Sequence, residues 1–360
     1  MKSGEKQSLA LGNLKKLDKS NMLDLLLDFP NQCLAALNIA ERAKILFEAK
    51  DFSKIVFTGL GGSAIGSDLV RSYLYFESKI PIVVSRDYEI PAFVDSSTLV
   101  FVASYSGNTE ETLCAYKEAR IRGATIIAVS SGGKLKELAQ GDNITFIGLP
   151  QGIPPRCAFG YQSIIPLVIL GKLGFIKDHG AYINQAIKVL EELRDSTLSP
   201  KVAQKDNIAK TVAIKLHNKF TVIYSPSVHF DFCSIRMRAQ IAENSKALAS
   251  SHVFPEMNHN EIVGWVSPRK LFKDFVVVML RDKGVHPRVS LRMDITRDIL
   301  KKESVRVIEI WSQGDGLLSR IFSLVYTGDF ISYYLAALYG IDPTPVERVT
   351  YLKSKLAKNA

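Results

Sequence analysis

The chain has 360 residues, of which 47% are hydrophobic and 23% charged, so it can build two ordinary hydrophobic cores. We expect a cytoplasmic protein that crosses no membrane, because no apolar run reaches the ~18 residues that span a bilayer and the N-terminus has no apolar signal-peptide core. The net charge of +10 favours a small anionic ligand over nucleic acid, since the basic residues are scattered and no nucleic-acid-binding motif accompanies them.

Strand and helix patterns alternate along most of the chain, which predicts an α/β fold with mostly parallel sheets flanked by helices. A helical segment over 1–45 precedes a first domain over 46–176, and a helical bridge over 177–218 leads to a second domain over 219–341. Residues 342–360 form a predicted C-terminal helix. The predicted strands lie near 54–60, 80–86, 98–104, 125–130 and 144–149, and near 220–225, 274–281 and 304–311. The predicted helices of the second domain lie at 231–249, 286–302 and 317–339.

A glycine-rich loop, GLGGSAIG over 59–66, follows the first predicted strand and opens an amphipathic helix. Gly61 and Gly62 lack the Cβ that would keep backbone amides away from a ligand. Ser63 is placed to cap the helix and is also a candidate to hold the phosphate. Free N–H groups at a helix start favour phosphate, so the loop predicts an anion cradle. It has neither the Lys-Ser/Thr ending of a Walker motif nor a clean GxGxxG, so nucleotide binding is not the first interpretation.

A second polar loop, SYSGNTEET over 104–112, follows the strand predicted at 98–104. Its hydroxyls, from Ser104, Ser106 and Thr109, stand around a turn glycine before a helix and could surround a phosphate with neutral donors. A simple capping box would use the same residue types. Two such loops at the carboxyl ends of successive strands favour a ligand site, because open parallel sheets bind ligands at that edge.

These two loops resemble the sugar isomerase domain, an α/β module that binds phosphosugars. The rest of the chain is similar to one branch of that family, the bifunctional phosphoglucose/phosphomannose isomerases of archaea and some bacteria. The shared motifs stand in order along nearly the whole chain: PPR at 154–156, ENSK at 243–246, MNHNE at 257–261, DPTP at 342–345 and LK at 352–353. The resemblance implies two sugar isomerase domains. Because the second lacks a glycine cradle after its first strand, we expect only the first to hold phosphate.

Glu243 is the candidate base. The apolar stripe predicted on the helix over 231–249 runs through Phe232, Ile235, Ala239 and Ala242, and Glu243 stands at its edge. By spacing alone, Glu243 could equally be a solvated residue that pairs with Lys246. The resemblance implies that Glu243 is a base that moves a proton between carbon 1 and carbon 2 of a sugar.

His259 and Lys353 are candidates for opening the sugar ring. By resemblance, His259 protonates the ring oxygen, and it stands in a polar segment that predicts a loop. Lys353 follows Val346 and Val349 at helical spacing, which predicts an inward-facing lysine, although a packed lysine stem would show the same pattern. A zinc site is not expected, because His252, Glu256 and His259 do not form an HExxH pattern.

Arg156 and Thr344 complete the candidate site. Arg156 stands at a predicted helix start, where a cation is mildly unfavourable. The resemblance gives it the role of stabilising a cis-enediolate intermediate. The resemblance also implies a threonine beside carbon 2 that accommodates both epimers, and Thr344 in the DPTP turn is the candidate.

Four scattered cysteines lack the CxxC spacing of zinc and redox sites. We expect reduced, largely buried thiols. They are Cys33, Cys114, Cys157 and Cys233.

The resemblance implies an aldose–ketose isomerase that interconverts glucose 6-phosphate and mannose 6-phosphate with fructose 6-phosphate, without cofactor or metal. It also implies a homodimer in which His259 completes the neighbouring chain's site. Two other functions stay open. A glucosamine 6-phosphate synthase would need an N-terminal nucleophilic cysteine and a glutaminase domain, where this chain opens with Met1-Lys2-Ser3. A non-catalytic phosphosugar-sensing regulator would need the cradle but not Glu243, His259 and Lys353.

Overall fold

The computed structural model describes residues 9, 11–48, 52–356 and 358. The other residues of the predicted segments 1–45, 46–176 and 342–360 lie outside the described residues. The described part contains two parallel sheets flanked by helices, which confirms the predicted fold class.

The first sheet is formed by five strands in the order β2-β1-β3-β4-β5. Phe57 of β1 pairs with Phe101 of β3, and their rings stack with centroids 4.8 Å apart. Both faces of these strands are buried, which is why their sequences read as continuous apolar runs. In chain order the elements of this half are α1 (Leu11–Leu17), α2 (Met22–Leu27), α3 (Phe29–Arg42), β1 (Lys54–Thr58), α4 (Gly62–Tyr73), β2 (Ile82–Ser85), β3 (Thr98–Ala103), α5 (Glu110–Ile121), β4 (Thr125–Ser130), α6 (Gly133–Gly141), β5 (Thr145–Gly148) and α7 (Phe159–Lys172).

The second sheet has four strands in the order β7-β6-β8-β9. Helices α8 and α9 lead into it from the first half. The elements are α8 (Gly180–Leu193), α9 (Ile208–Leu216), β6 (Phe220–Pro226), α10 (Asp231–Ser245), β7 (Ala249–Phe254), α11 (Glu261–Gly264), β8 (Phe275–Arg281), α12 (Pro287–Lys302), β9 (Arg306–Trp311), α13 (Leu317–Leu338) and α14 (Glu347–Leu356).

Strand β7 was not predicted, and the helix predicted over 231–249 was too long. Helix α10 ends at Ser245, because Lys246 adopts a left-handed backbone conformation with φ of 56° that turns the chain away. The strand that follows pairs with β6 only and is half-buried, so its sequence, ASSHVF, lacks the apolar run that marks the central strands.

Helix α13 is the centre of the second half. Among the described residues it alone is long and apolar enough to cross a membrane by length and composition, but 94% of its apolar window is buried inside the protein. It packs against α8, α9 and α10. Within this core a buried ion pair links Arg236 of α10 to Asp329 of α13 at 2.7 Å, and Gln240 also donates to Asp329. These contacts fix α10, the helix that carries Glu243, against the core.

Candidate active site

The glycine loop is built for close backbone approach. A Cβ on Gly62 would lie 2.6 Å from the carbonyl of Pro155 and 2.7 Å from the nitrogen of Arg156, so a larger residue would push this turn away. Gly61, at φ of 53°, is exposed and precedes α4. The predicted helix cap by Ser63 is wrong: its buried hydroxyl instead accepts a hydrogen bond from the backbone N–H of Tyr105, at 3.0 Å. Ser63 therefore joins the two predicted ligand loops.

Hydrogen bonds between its own residues hold the second loop in place. The hydroxyl of Ser104 donates to Thr109 at 2.9 Å, and the hydroxyl of Ser106 accepts from the N–H of Asn108 at 3.3 Å. Neither Ser106 nor Thr109 caps α5 with its side chain, so the capping-box alternative does not describe this loop. Beside the start of α5, Ser106 is exposed and Thr109 is partly exposed.

Arg156 lies in a short 3-10 turn, Pro155–Cys157, and is buried. Its Nε donates to the side chain of Asn244 at 2.7 Å, and its Nη2 donates to the carbonyls of Pro343 and Thr344 at 2.9 Å each. Its Nη1 lies 3.6 Å from Oε2 of Glu243. A single guanidinium thus joins the end of α10 to the DPTP turn, while the backbone of Arg156 lies against Gly62 of the glycine loop.

Glu243 opens onto a cavity of about 700 Å³. Its side chain is 36% exposed. The cavity is lined by two segments, the end of α10 with the residues that follow it, and the chain from Ile341 to Val349. The carboxylate therefore stands at one wall of a space that is open to solvent, and the buried guanidinium of Arg156 lies 3.6 Å from it.

The apolar stripe predicted on α10 is wrong, because Ile235 and Ala242 are exposed. The buried face is instead largely polar, with Arg236, Gln240 and Asn244 bonded to Asp329 and Ser332 of α13. Apolar periodicity misses such a face, since the polar groups are satisfied across the helix pair.

Glu243 is not bonded to Lys246 through its carboxylate. The Nζ of Lys246 donates to the main-chain carbonyl of Glu243 at 2.5 Å. Burial, and next the charge of Arg156, lowers the pKa of Lys246.

Thr344 stands next to this group. Its hydroxyl oxygen is buried and has no hydrogen-bond partner among the described residues. Its backbone carbonyl accepts from Arg156. Its neighbour Pro345 lines the cavity. A hydroxyl left unsatisfied this close to the cavity can accept from or donate to a ligand hydroxyl.

His259 and Lys353 are not brought to Glu243 within one chain. His259 is exposed at the end of a 3-10 turn, Glu256–His259, and no hydrogen bond or ion pair joins it to the rest of the described chain. A single chain does not bury Lys353: α14 has no buried residue, and Val349, which lines the cavity, is 45% exposed. Helical spacing showed which residues share a face, but not whether anything covers that face.

One group of residues beside His259 was missed. Glu261, two residues on, accepts from the hydroxyl of Tyr224 at 2.6 Å and lies 2.7 Å from Nδ1 of His252, and Trp265 donates to Tyr224. The carboxylate ties the segment that carries His259 to β6 and β7. The sequence signal that could have revealed Glu261 was its position at the end of the MNHNE motif.

The cysteines are free, as expected, with Cys33 and Cys233 buried and the other two partly exposed. Burial raises the pKa of Cys157 to about 11, although Arg156 acts in the opposite direction. Its thiol is thus protonated at neutral pH. Over the described part of the chain, no group of three or more His, Cys, Asp or Glu is arranged to hold a metal ion.

Comparisons with known proteins identify the family of the chain. Residues 205–356 match the family model of the bacterial phospho-glucose isomerase C-terminal SIS domain. A bifunctional phosphoglucose/phosphomannose isomerase of Caldicellulosiruptor bescii is 46% identical over 94% of this chain and 99% of its own length, and one of Aquifex aeolicus is 37% identical over 87% and 96%.

A solved structure of a glucose-6-phosphate isomerase like protein from Thermus thermophilus has the same fold, with a TM-score of 0.63 over 96% of this chain and 98% of that one, at 18% identity. The sequence comparisons confirm the predicted resemblance. The chain belongs to the family of bifunctional phosphoglucose/phosphomannose isomerases.

Proposed function

We propose that this chain interconverts glucose 6-phosphate and mannose 6-phosphate with fructose 6-phosphate by proton transfer through a cis-enediol intermediate. The observation that carries the proposal is the position of Glu243, 3.6 Å from the buried guanidinium of Arg156, whose backbone lies against Gly62 of the glycine loop. A carboxylate and a fixed cation beside a phosphate cradle are the groups that an aldose–ketose isomerisation needs.

The cradle binds the phosphate. Gly61 is exposed and Gly62 partly exposed at the start of α4, so a phosphate can approach the backbone there, and the hydroxyls of Ser106 and Thr109 supply neutral donors. Ser63 and Ser104 hold the two loops together through their own hydrogen bonds. Phosphate affinity therefore resides in the first sheet.

Glu243 moves the proton. As a carboxylate it takes the proton from carbon 2 of the open-chain aldose, and the electron pair forms the enediolate. The proton of the 2-hydroxyl passes to oxygen 1, and Glu243 then returns its own proton to carbon 1 to give the ketose. A positioned base contributes typically ~10²- to 10⁴-fold in rate. Arg156 lies where negative charge develops and stabilises it, and Thr344 offers its unpartnered hydroxyl to the sugar near carbon 2.

Ring opening uses His259 and Lys353, and the site is completed by a second copy of the chain. Two features support a homodimer. His259 is exposed on a segment fixed by Glu261, and α14 carries Lys353 together with the exposed apolar side chains of Val349 and Leu352. Apolar side chains left uncovered on one helix favour packing against another surface.

A non-catalytic phosphosugar sensor would need the cradle alone. Such a protein has no need of a carboxylate held beside a buried cation, since each of these groups costs desolvation. The placement of Glu243 and Arg156 therefore favours the enzyme.

A coupled assay of the purified protein tests the function. Both aldoses should yield fructose 6-phosphate in the presence of EDTA, because every step above is assigned to a side chain. Activity that disappears on chelation and returns with zinc would contradict this mechanism.

Mixed dimers test the shared site. Co-expression of Glu243→Gln with His259→Ala makes half of the dimers mixed, and each mixed dimer has one intact and one doubly damaged site. About a quarter of wild-type activity should return, although each variant alone is nearly inactive. If mass spectrometry shows mixed dimers but activity does not exceed that of the two single variants, the site is not shared between chains.

A further inference from the structure

Lys246 has an unusual backbone for its residue type. It follows α10 in the left-handed region, with φ of 56° and ψ of 27°, where glycine or asparagine is the usual residue. A lysine costs more there, because its Cβ crowds the backbone. Contacts of the Lys246 side chain can offset this conformational cost.

The ammonium of Lys246 binds carbonyls of two separate segments. Besides the main-chain oxygen of Glu243, Nζ reaches the carbonyl of Pro343 at 3.0 Å, 97 residues along the chain. A lysine that binds the last carbonyls of its own helix is common. The contact with Pro343 is not explained in that way.

The carbonyl of Pro343 is held by two cations. Arg156 donates to it at 2.9 Å, and Lys246 donates to it from the other segment. The next residue, Thr344, carries the unpartnered hydroxyl, and α14 begins three residues later at Glu347. The turn that starts the C-terminal segment is thus attached to the end of α10.

This attachment joins the two walls of the cavity. Glu243 and Lys246 line one side, and the residues on either side of the Pro343–Thr344 turn, Asp342 and Pro345, line the other. If the turn moved, the distance between the carboxylate of Glu243 and the hydroxyl of Thr344 would change, whereas the phosphate cradle in the first sheet would not.

We propose that Lys246 is a positioning residue whose ammonium fastens the Pro343–Thr344 turn to the end of α10 and so fixes the reacting end of the sugar between Glu243 and Thr344. This inference rests on the proposed function for its catalytic consequence. Lys246 acts through the turn, while the phosphate is bound elsewhere, so its loss lowers turnover more than it weakens substrate binding.

Variants at Lys246 can separate the effect of its left-handed backbone from the effect of its ammonium group. Lys246→Asn and Lys246→Gly suit the left-handed conformation but remove the charge, and Lys246→Arg keeps donors of similar reach. Ser304→Gly is the matched control, because Ser304 is also left-handed after a helix, at φ of 61°. The Asn and Gly variants should lose about tenfold in kcat with KM within about twofold, since a hydrogen bond from a charged group is lost. The Arg variant should recover most of that loss, and Ser304→Gly should behave as the wild type.

Amide hydrogen exchange measures whether the Pro343–Thr344 turn is fastened to α10, independently of catalysis. Amides in a peptide over 341–356 should exchange faster in Lys246→Asn than in the wild type or in Ser304→Gly. Unchanged exchange would overturn the proposal, and a fall in kcat without faster exchange would mean that Lys246 acts on the substrate directly. If the wild-type protein isomerised neither aldose, the proposed function would fail, while the exchange data would still decide whether Lys246 fastens the turn.

Discussion

The two sheets use the loop after their first strand in opposite ways. In the first sheet, β1 is followed by the glycine loop, and Gly61 stays exposed before α4. In the second sheet, β6 is followed by residues 227–230, where His229 donates through Nδ1 to the carbonyl of Ser72 on α4 at 2.7 Å. Asp231 at the start of α10 adds an ion pair to Arg71 at 2.6 Å. One loop has an exposed glycine, and the other joins the two halves together.

This difference explains how Glu243 comes to lie next to Arg156. Because the second loop binds α4, helix α10 starts next to the helix that begins at the cradle, and Glu243 at its far end is carried to Arg156. A parallel sheet can therefore keep its topology while its ligand loop becomes a fastening between halves. We infer that phosphate binding belongs to the first sheet and proton transfer to the second.

The largest expected effect comes from the second half. Glu243→Gln keeps size but removes the proton acceptor, so turnover should fall by at least ~100-fold. Solvent deuterium incorporation at carbon 2 of the aldose should fall with it. Glu192→Gln, an exposed glutamate on α8, serves as the control and should keep wild-type activity. Near-normal deuterium exchange in Glu243→Gln would assign the base to another residue.

A smaller effect is expected from the first half. Ser106→Ala and Thr109→Val each remove a neutral donor, which is worth ~1.5 kcal/mol towards a charged phosphate, so KM should rise by up to about tenfold. The turnover number should change little. An equal loss confined to turnover would place these hydroxyls at the reacting end of the sugar and would remove the division between the halves.

The sequence predicted where the two polar loops of the first sheet lie, between a strand and a helix, because their signals are local. Gly62 and Ser104 stand directly after buried strands, and a parallel sheet brings the ends of such strands to one edge. The central strands were predicted for the same reason, since both of their faces are buried. Strand β7 was missed because an edge strand with one neighbour does not need an apolar sequence.

The approach of Glu243 to Arg156 could not be worked out from periodicity. It depends on the polar buried face of α10, where Arg236 and Asp329 satisfy each other, and on a left-handed turn at Lys246. Spacing also predicted an inward-facing Lys353, but a helix pattern does not show whether another surface covers that face.

Binding of glucitol 6-phosphate, which carries the phosphate but no carbonyl, tests the division between the halves most directly. Isothermal titration should give Glu243→Gln a Kd within about twofold of the wild type, whereas Thr109→Val should bind about tenfold more weakly. The opposite pattern, with affinity lost in Glu243→Gln and kept in Thr109→Val, would contradict the assignment of phosphate binding to the first sheet and proton transfer to the second.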